Sequence, residues 1–254
     1  MRLKASTFAV VLSATSWLAG AALADGLPAP GGSIKDAPIA APPSRLCYVR
    51  ADLGYGWSAS EDGFATITPP GLGIGSGKVQ DSRLDSAWFG EVGAGCALVP
   101  GLRGDITFGF HGGRDFHGVP VNPPAPPPSF VDPVSAKAHA NTLMFNLYYD
   151  LPRFGLITPY IGAGVGMAFV ELRDTTFTDG VVVRLPNKSD TNFAWSLMAG
   201  VGTDLGRGVV LDVGYRYLNM GEIGVSSPAI GYNLRLNDLS EHQFRAGVRI
   251  PVTF

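Results

Sequence analysis

Eight stretches of this chain alternate apolar and polar residues with a period of two, and most carry on the polar face charged residues spaced by glycine. Successive side chains on a strand point to opposite faces, so the pattern fixes two chemically distinct faces on one sheet. The last stretch, EHQFRAGVRIPVTF, alternates Phe244, Ala246, Val248, Ile250, Val252 and Phe254 with Gln243, Arg245, Gly247, Arg249, Pro251 and Thr253. Chain ends fray unless they are held. The regularity therefore predicts that this strand pairs along its length with another.

Turn residues bound the segments and predict strands over 47–58, 84–98, 102–111, 139–150, 158–172, 190–205, 209–219 and 239–254. The links alternate in length. VPG, DLPRFGLIT and DLGRG are short, whereas 59–83, 112–138, 173–189 and 220–238 are long and rich in Gly, Pro or polar residues. An even set of antiparallel strands with short turns at one end and long connections at the other predicts an all-β fold. It is an eight-stranded up-and-down transmembrane β-barrel with short periplasmic turns and long extracellular loops.

Parity sorts the residues. Arg50 and Asp52 share a face with Gly54 and Gly56, opposite Leu53, Tyr55 and Trp57; Glu91 shares one with Gly93 and Gly95, opposite Trp88 and Val92. Arg103 and Asp105 oppose Ile106, Phe108 and Phe110, and Asp212 and Arg216 oppose Val213, Tyr215 and Tyr217. A soluble barrel with an apolar interior would show the same stripes. Lysine usage separates the two cases, because all five lysines, at 4, 35, 78, 137 and 188, fall in the signal, the linker or the expected loops. The charged face uses arginine and carboxylates between glycines, as expected of bidentate pairs packed in a narrow interior. Charge inward and aromatics outward mean lipid outside. Slipping the last strand by one residue would put Arg245 and Arg249 into lipid at roughly 2–4 kcal/mol each near the midplane, so the register is strongly specified.

Composition agrees. Charged residues are 16% of the 254, below the roughly 25% of a soluble domain, and the net charge of -2 argues against a nucleic-acid partner. Arg2 and Lys4 precede the apolar run FAVVLSATSWLAGAALA, which ends on Ala22-Leu23-Ala24; residues 1–24 read as a secretory signal peptide. Residues 25–46 read as a Pro/Gly/Ala-rich periplasmic linker, and 47–254 as the barrel. The most apolar later run, LITPYIGAGVGMAFV, contains Pro159 and places Gly162, Gly164 and Gly166 at alternate positions, which suits a strand better than a helix.

The segments PYIGAGVGMAF, FAWSLMAGVGTDL, VVLDVGYRYLNMG and HQFRAGVRIPVTF occur in an order that resembles the second half of the small opacity-type, outer membrane protein A-like barrels of gram-negative bacteria. The resemblance implies a cell outer-membrane location, a mostly filled interior, and a role in envelope integrity, adhesion or host contact. It implies contact with outer-membrane lipids and lipopolysaccharide, and no cofactor. It also implies that a final strand ending in an aromatic, here Phe254 with Phe244, Val248, Ile250 and Val252 on the same face, is read by the outer-membrane insertion machinery.

Several candidates follow from the strand reading. Cys47 and Cys96 fall opposite each other near the short-turn end, which allows either a disulfide or two thiols. That register also sets Asp52 opposite Glu91, which requires arginines such as Arg50, Arg103 or Arg249 between them. The interior set Arg50, Asp52, Glu91, Arg103, Asp105, Asp212, Arg216, Arg245 and Arg249 reads as a mutually neutralising network, the alternative being the lining of a small porin; eight strands leave a lumen that side chains fill. Segment 112–138, with PPAPPP, is a stiff loop or a surface for a ligand. His111 and His139 are the residues that an outer-rim lipid A-modifying activity would use, but no Ser/His/acid spacing supports one.

Overall fold

The computed structural model describes residues 47–59, 65–68, 77–120, 134–179, 181–227 and 232–252. The strands among them are Cys47–Ser58 (β1), Ala65–Thr68 (β2), Gly77–Leu84 (β3), Ala87–Val99 (β4), Leu102–Pro120 (β5), Val134–Asp150 (β6), Ile157–Asp179 (β7), Val181–Arg184 (β8), Lys188–Gly206 (β9), Val209–Asn219 (β10), Ile223–Ser227 (β11), Tyr232–Leu236 (β12) and Ser240–Val252 (β13). Eight of these, β1, β4, β5, β6, β7, β9, β10 and β13, each pair antiparallel with the next. β13 returns to β1 from Cys47↔Val252 to Ser58↔Glu241, so the sheet closes and no edge faces lipid. Thr253, Phe254, the signal-peptide and linker segments, and 121–133 at the centre of the proline-rich connection lie outside the described residues.

Parity falls as the alternation requires. Leu53, Trp88, Phe145, Phe193 and Phe244 are 52–66% exposed on the outer face, whereas the charged positions between them are buried. On β7 the outward apolar residues run from Ile157 to Phe169. Those twelve steps at about 3.3 Å each, tilted by about 45°, match the apolar band of about 25 Å expected for such barrels.

The long connections are not the irregular loops that the sequence pattern suggests. β5 continues to Pro120, β6 begins at Val134 and β7 reaches Asp179, while β2, β3, β8, β11 and β12 are built from the connections themselves. β3 pairs with the outer end of β5, β2 with β3, β12 with β2, and β11 with β12. Likewise, the strand expected over 84–98 is two: Leu84 ends β3, and β4 starts at Ala87. Lys78, Lys137 and Lys188 thus lie on strands, in this outer extension.

The extension has its own core. Phe116, Val134, Leu172, Leu185, Leu218, Ile223, Leu234 and Leu236 form one apolar cluster. The barrel interior is therefore zoned, with charge within the membrane band and an apolar cap above it.

Candidate functional site

The glycines on the inner face explain how a lumen this narrow holds arginines. A Cβ at Gly247 would overlap the Asp52 carboxylate, and one at Gly54 would overlap the Phe89 ring. Small residues on one strand make room for long side chains from the next.

The lumen is electrically closed on itself. Arg50 Nε meets Asp52 and its Nη1 meets Asp105, both at 2.8 Å. Arg216 Nη1 and Arg245 Nη1 meet Glu91 at 2.6 and 3.3 Å. Arg103 pairs with Asp150 at 3.1 Å, Arg249 with Asp212 at 2.5 Å, and Arg114 with Glu241 at 2.8 Å. Six arginines thus face six carboxylates, and each has at least one partner of opposite sign. Pairs this buried hold together only with further hydrogen bonds. Tyr148 Oη accepts from Arg50 at 2.9 Å and from Arg245 at 3.3 Å, Asn146 Nδ2 donates to Asp105 at 2.9 Å, and Gln243 Oε1 accepts from Arg216 at 2.6 Å.

All nine residues expected inside are inside, though with altered partners. Asp52 does face Glu91 across β1 and β4. Arg50 compensates Asp52, but Glu91 is compensated by Arg216 and Arg245 rather than by Arg103 or Arg249, which pair elsewhere. Arg245 and Arg249 do not meet Asp52; it is the bare Gly247 between them that lies against that carboxylate.

Sequence reasoning missed Arg114, Asp150, Glu241, Gln243 and the inward tyrosines Tyr48, Tyr148 and Tyr160. The Arg103 guanidinium lies 4.0 Å from the Tyr148 ring centre and 4.9 Å from that of Tyr160, plugging the periplasmic end by cation–π contact. Arg114 enters the lumen because β5 carries a bulge. His111 pairs with Ala140 and Arg114 with Ala138, so three steps on β5 match two on β6 and the inward parity switches. The doublet Gly112-Gly113 was the available signal.

His111 is buried, stacked on Phe89 at 5.4 Å, with Nδ1 3.6 Å from Glu241. The His139 ring instead lies against Gly113. A small cleft at the foot of the apolar cap is lined by both histidines together with Arg114, Glu241, Leu84 and Val170. The aromatic residues at the outer level, Tyr55, Trp57, Trp88, Tyr215 and Tyr217, lie on the outer face, with Trp57 packed on His242 and Phe244. Phe244 and Ile250 of β13 face outward, with Val248 and Val252 on the same face. Cys47 and Cys96 stand opposite each other and are joined by a disulfide.

A closed eight-stranded sheet with a lipid-facing band and a self-neutralised interior defines an outer-membrane β-barrel protein. Residues 47–250 match the family described as outer membrane protein beta-barrel domain, and the chain belongs to it. Its location is the outer membrane of a gram-negative bacterium. The chain is 31% identical over 253 residues to an uncharacterized protein of Brucella suis, covering 84% of this chain and 87% of that one. It is 27% identical over 177 residues to a Rickettsia prowazekii protein named as a candidate adhesin, covering 69% and 72%. Among solved structures, neisserial surface protein A covers 81% of this chain and 97% of its own, at 18% identity and a TM-score of 0.44.

Proposed function

We propose that this protein is a non-conducting, non-enzymatic barrel that reinforces the outer membrane and presents its outer β extension for adhesion or host contact. The observation that carries the reading is the filled lumen: six arginines and six carboxylates cancel one another, and the apolar cap sits above them. An ion crossing this interior would have to break buried pairs that cost several kcal/mol each to separate. Display is supported by the β5–β6 hairpin, whose strands continue past the lipid band and are connected in sequence by the proline-rich 121–133. The resemblance to a candidate adhesin points the same way.

Planar-bilayer recordings of purified, heat-modifiable protein test the first half; stable open channels would sink it. For the second, bacteria carrying a Gly-Ser replacement of 121–133 should lose attachment to host cells while keeping normal barrel levels, and unchanged attachment would remove that segment from the reading. An altered lipid A profile in cells expressing the protein would overturn the non-enzymatic assignment. We further propose that the outward face of β13, with Phe254, is what the insertion machinery reads, and that deletion of Phe254 lowers outer-membrane levels; normal levels would refute it.

A further inference from the structure

The three periplasmic connections differ in one respect. Two are tight turns, at Pro100–Gly101 and around Arg207, and the third, Leu151–Leu156, carries spare apolar chain. Phe154 and Leu156 are 69% and 68% exposed, more than any other large apolar residue among the described ones. They are not loose. Phe154 N donates to Ile157 O at 2.9 Å and Ile157 N returns the bond to Phe154 O at 3.1 Å, with Gly155 in the left-handed region at φ 61° between them. Arg153 Nε donates to Gly155 O at 2.8 Å and ties the turn from the other side.

We infer that this hairpin is a membrane anchor: Phe154 and Leu156 dip into the phospholipid leaflet on the periplasmic side, and Arg153 takes the lipid phosphates. The apolar surface is continuous with the established lipid face, since Tyr149 on β6 and Ile157 on β7 flank it and, like Leu151 at its start, are exposed. The exposed charges at this rim are Arg153 and Arg207 against Asp204, whose Oδ1 accepts from Gly206 N at 2.7 Å, while Asp150 is turned inward onto Arg103, so the cations outnumber the one exposed carboxylate. Aromatic and aliphatic side chains flanked by cations are what a headgroup boundary selects. A hairpin held by its own backbone bonds loses little conformational freedom on insertion.

The test is Phe154→Trp in the full-length protein, reconstituted into phosphatidylethanolamine/phosphatidylglycerol vesicles and checked for heat-modifiability on a gel. Its emission is read as the difference from the parent protein, which carries Trp57, Trp88 and Trp195 in the barrel. The added indole should emit at shorter wavelength than free tryptophan, be quenched by lipids brominated high on the acyl chain, and be protected from acrylamide. Full acrylamide quenching with no effect of brominated lipid would place the turn in water and overturn the anchor. The blue shift should grow with the phosphatidylglycerol fraction and lose that dependence in Arg153→Gln; a dependence unchanged by R153Q would remove the arginine from the inference.

Discussion

Arg216 Nη1 donates to Glu91 Oε2 at 2.6 Å, joining β10 to β4 across the lumen between residues 125 apart in the chain, both side chains wholly buried. Glu91 also compensates Arg245, so it is the single anion for two guanidinium groups from neighbouring strands. Glu91→Gln keeps the shape and removes the charge. It should destabilise the barrel by about 3–5 kcal/mol, since two buried cations lose their partner. Glu91→Gln with Arg216→Met should cost less than the two single changes summed. Urea unfolding in phospholipid vesicles measures both, and additive costs would mean that the pair is not coupled.

Gly247 faces the Asp52 carboxylate and the Ala51 carbonyl oxygen at distances that admit no Cβ. Gly247→Val should therefore reduce the folded, heat-modifiable fraction sharply, with a cost of about 1–3 kcal/mol or more from overpacking. Gly90 supplies the control, because a Cβ there meets nothing within 4 Å. If G247V and G90V fold equally well, the close packing around Asp52 is not a constraint.

The two-faced alternation carried the whole closed barrel, because within the lipid band each side chain has one of only two environments. It failed where the environment changes. Ala136 and Ala138 line the outer core, but alternate with Lys137 beside a proline-rich run and so look like loop. β2 finds β12 about 170 residues away, a pairing that no local pattern encodes. Arg114 was hidden by the bulge at Gly112-Gly113, and Tyr148 because a tyrosine in such a barrel is expected outside, at the headgroup level. Glu241 and Gln243 continue the inward parity of Arg245 and were legible in principle.

Depth within the lipid band sets the cost of a charge on the outer face. Leu197 pairs with Ala163, midway along the outward run of β7, whereas Leu205 lies at the periplasmic end of β9. Leu197→Arg should cost about 2–4 kcal/mol and Leu205→Arg about 0–1 kcal/mol. Equal unfolding free energies for the two would contradict the proposed placement of the bilayer.

The disulfide is placed where it closes the first β hairpin at its periplasmic ends, Cys47 on β1 opposite Cys96 on β4, at a sequence separation of 49. Closing a loop of that size in the unfolded chain gives at most about 4 kcal/mol by the chain-entropy argument. The realised gain should be smaller to the extent that the unfolded chain already keeps the two ends of this hairpin close. Its larger effect should be kinetic: the outer part of this hairpin, β2 and β3, must still find β12 and the far end of β5, and a bond at its base keeps β1 and β4 in register while it does so. Cys47→Ser with Cys96→Ser should therefore yield a barrel that still migrates as heat-modifiable protein, but that refolds into vesicles more slowly. In unreduced, denatured wild-type protein no thiol should react with an alkylating agent; two alkylated cysteines by mass spectrometry would show that the bond does not form in the cell.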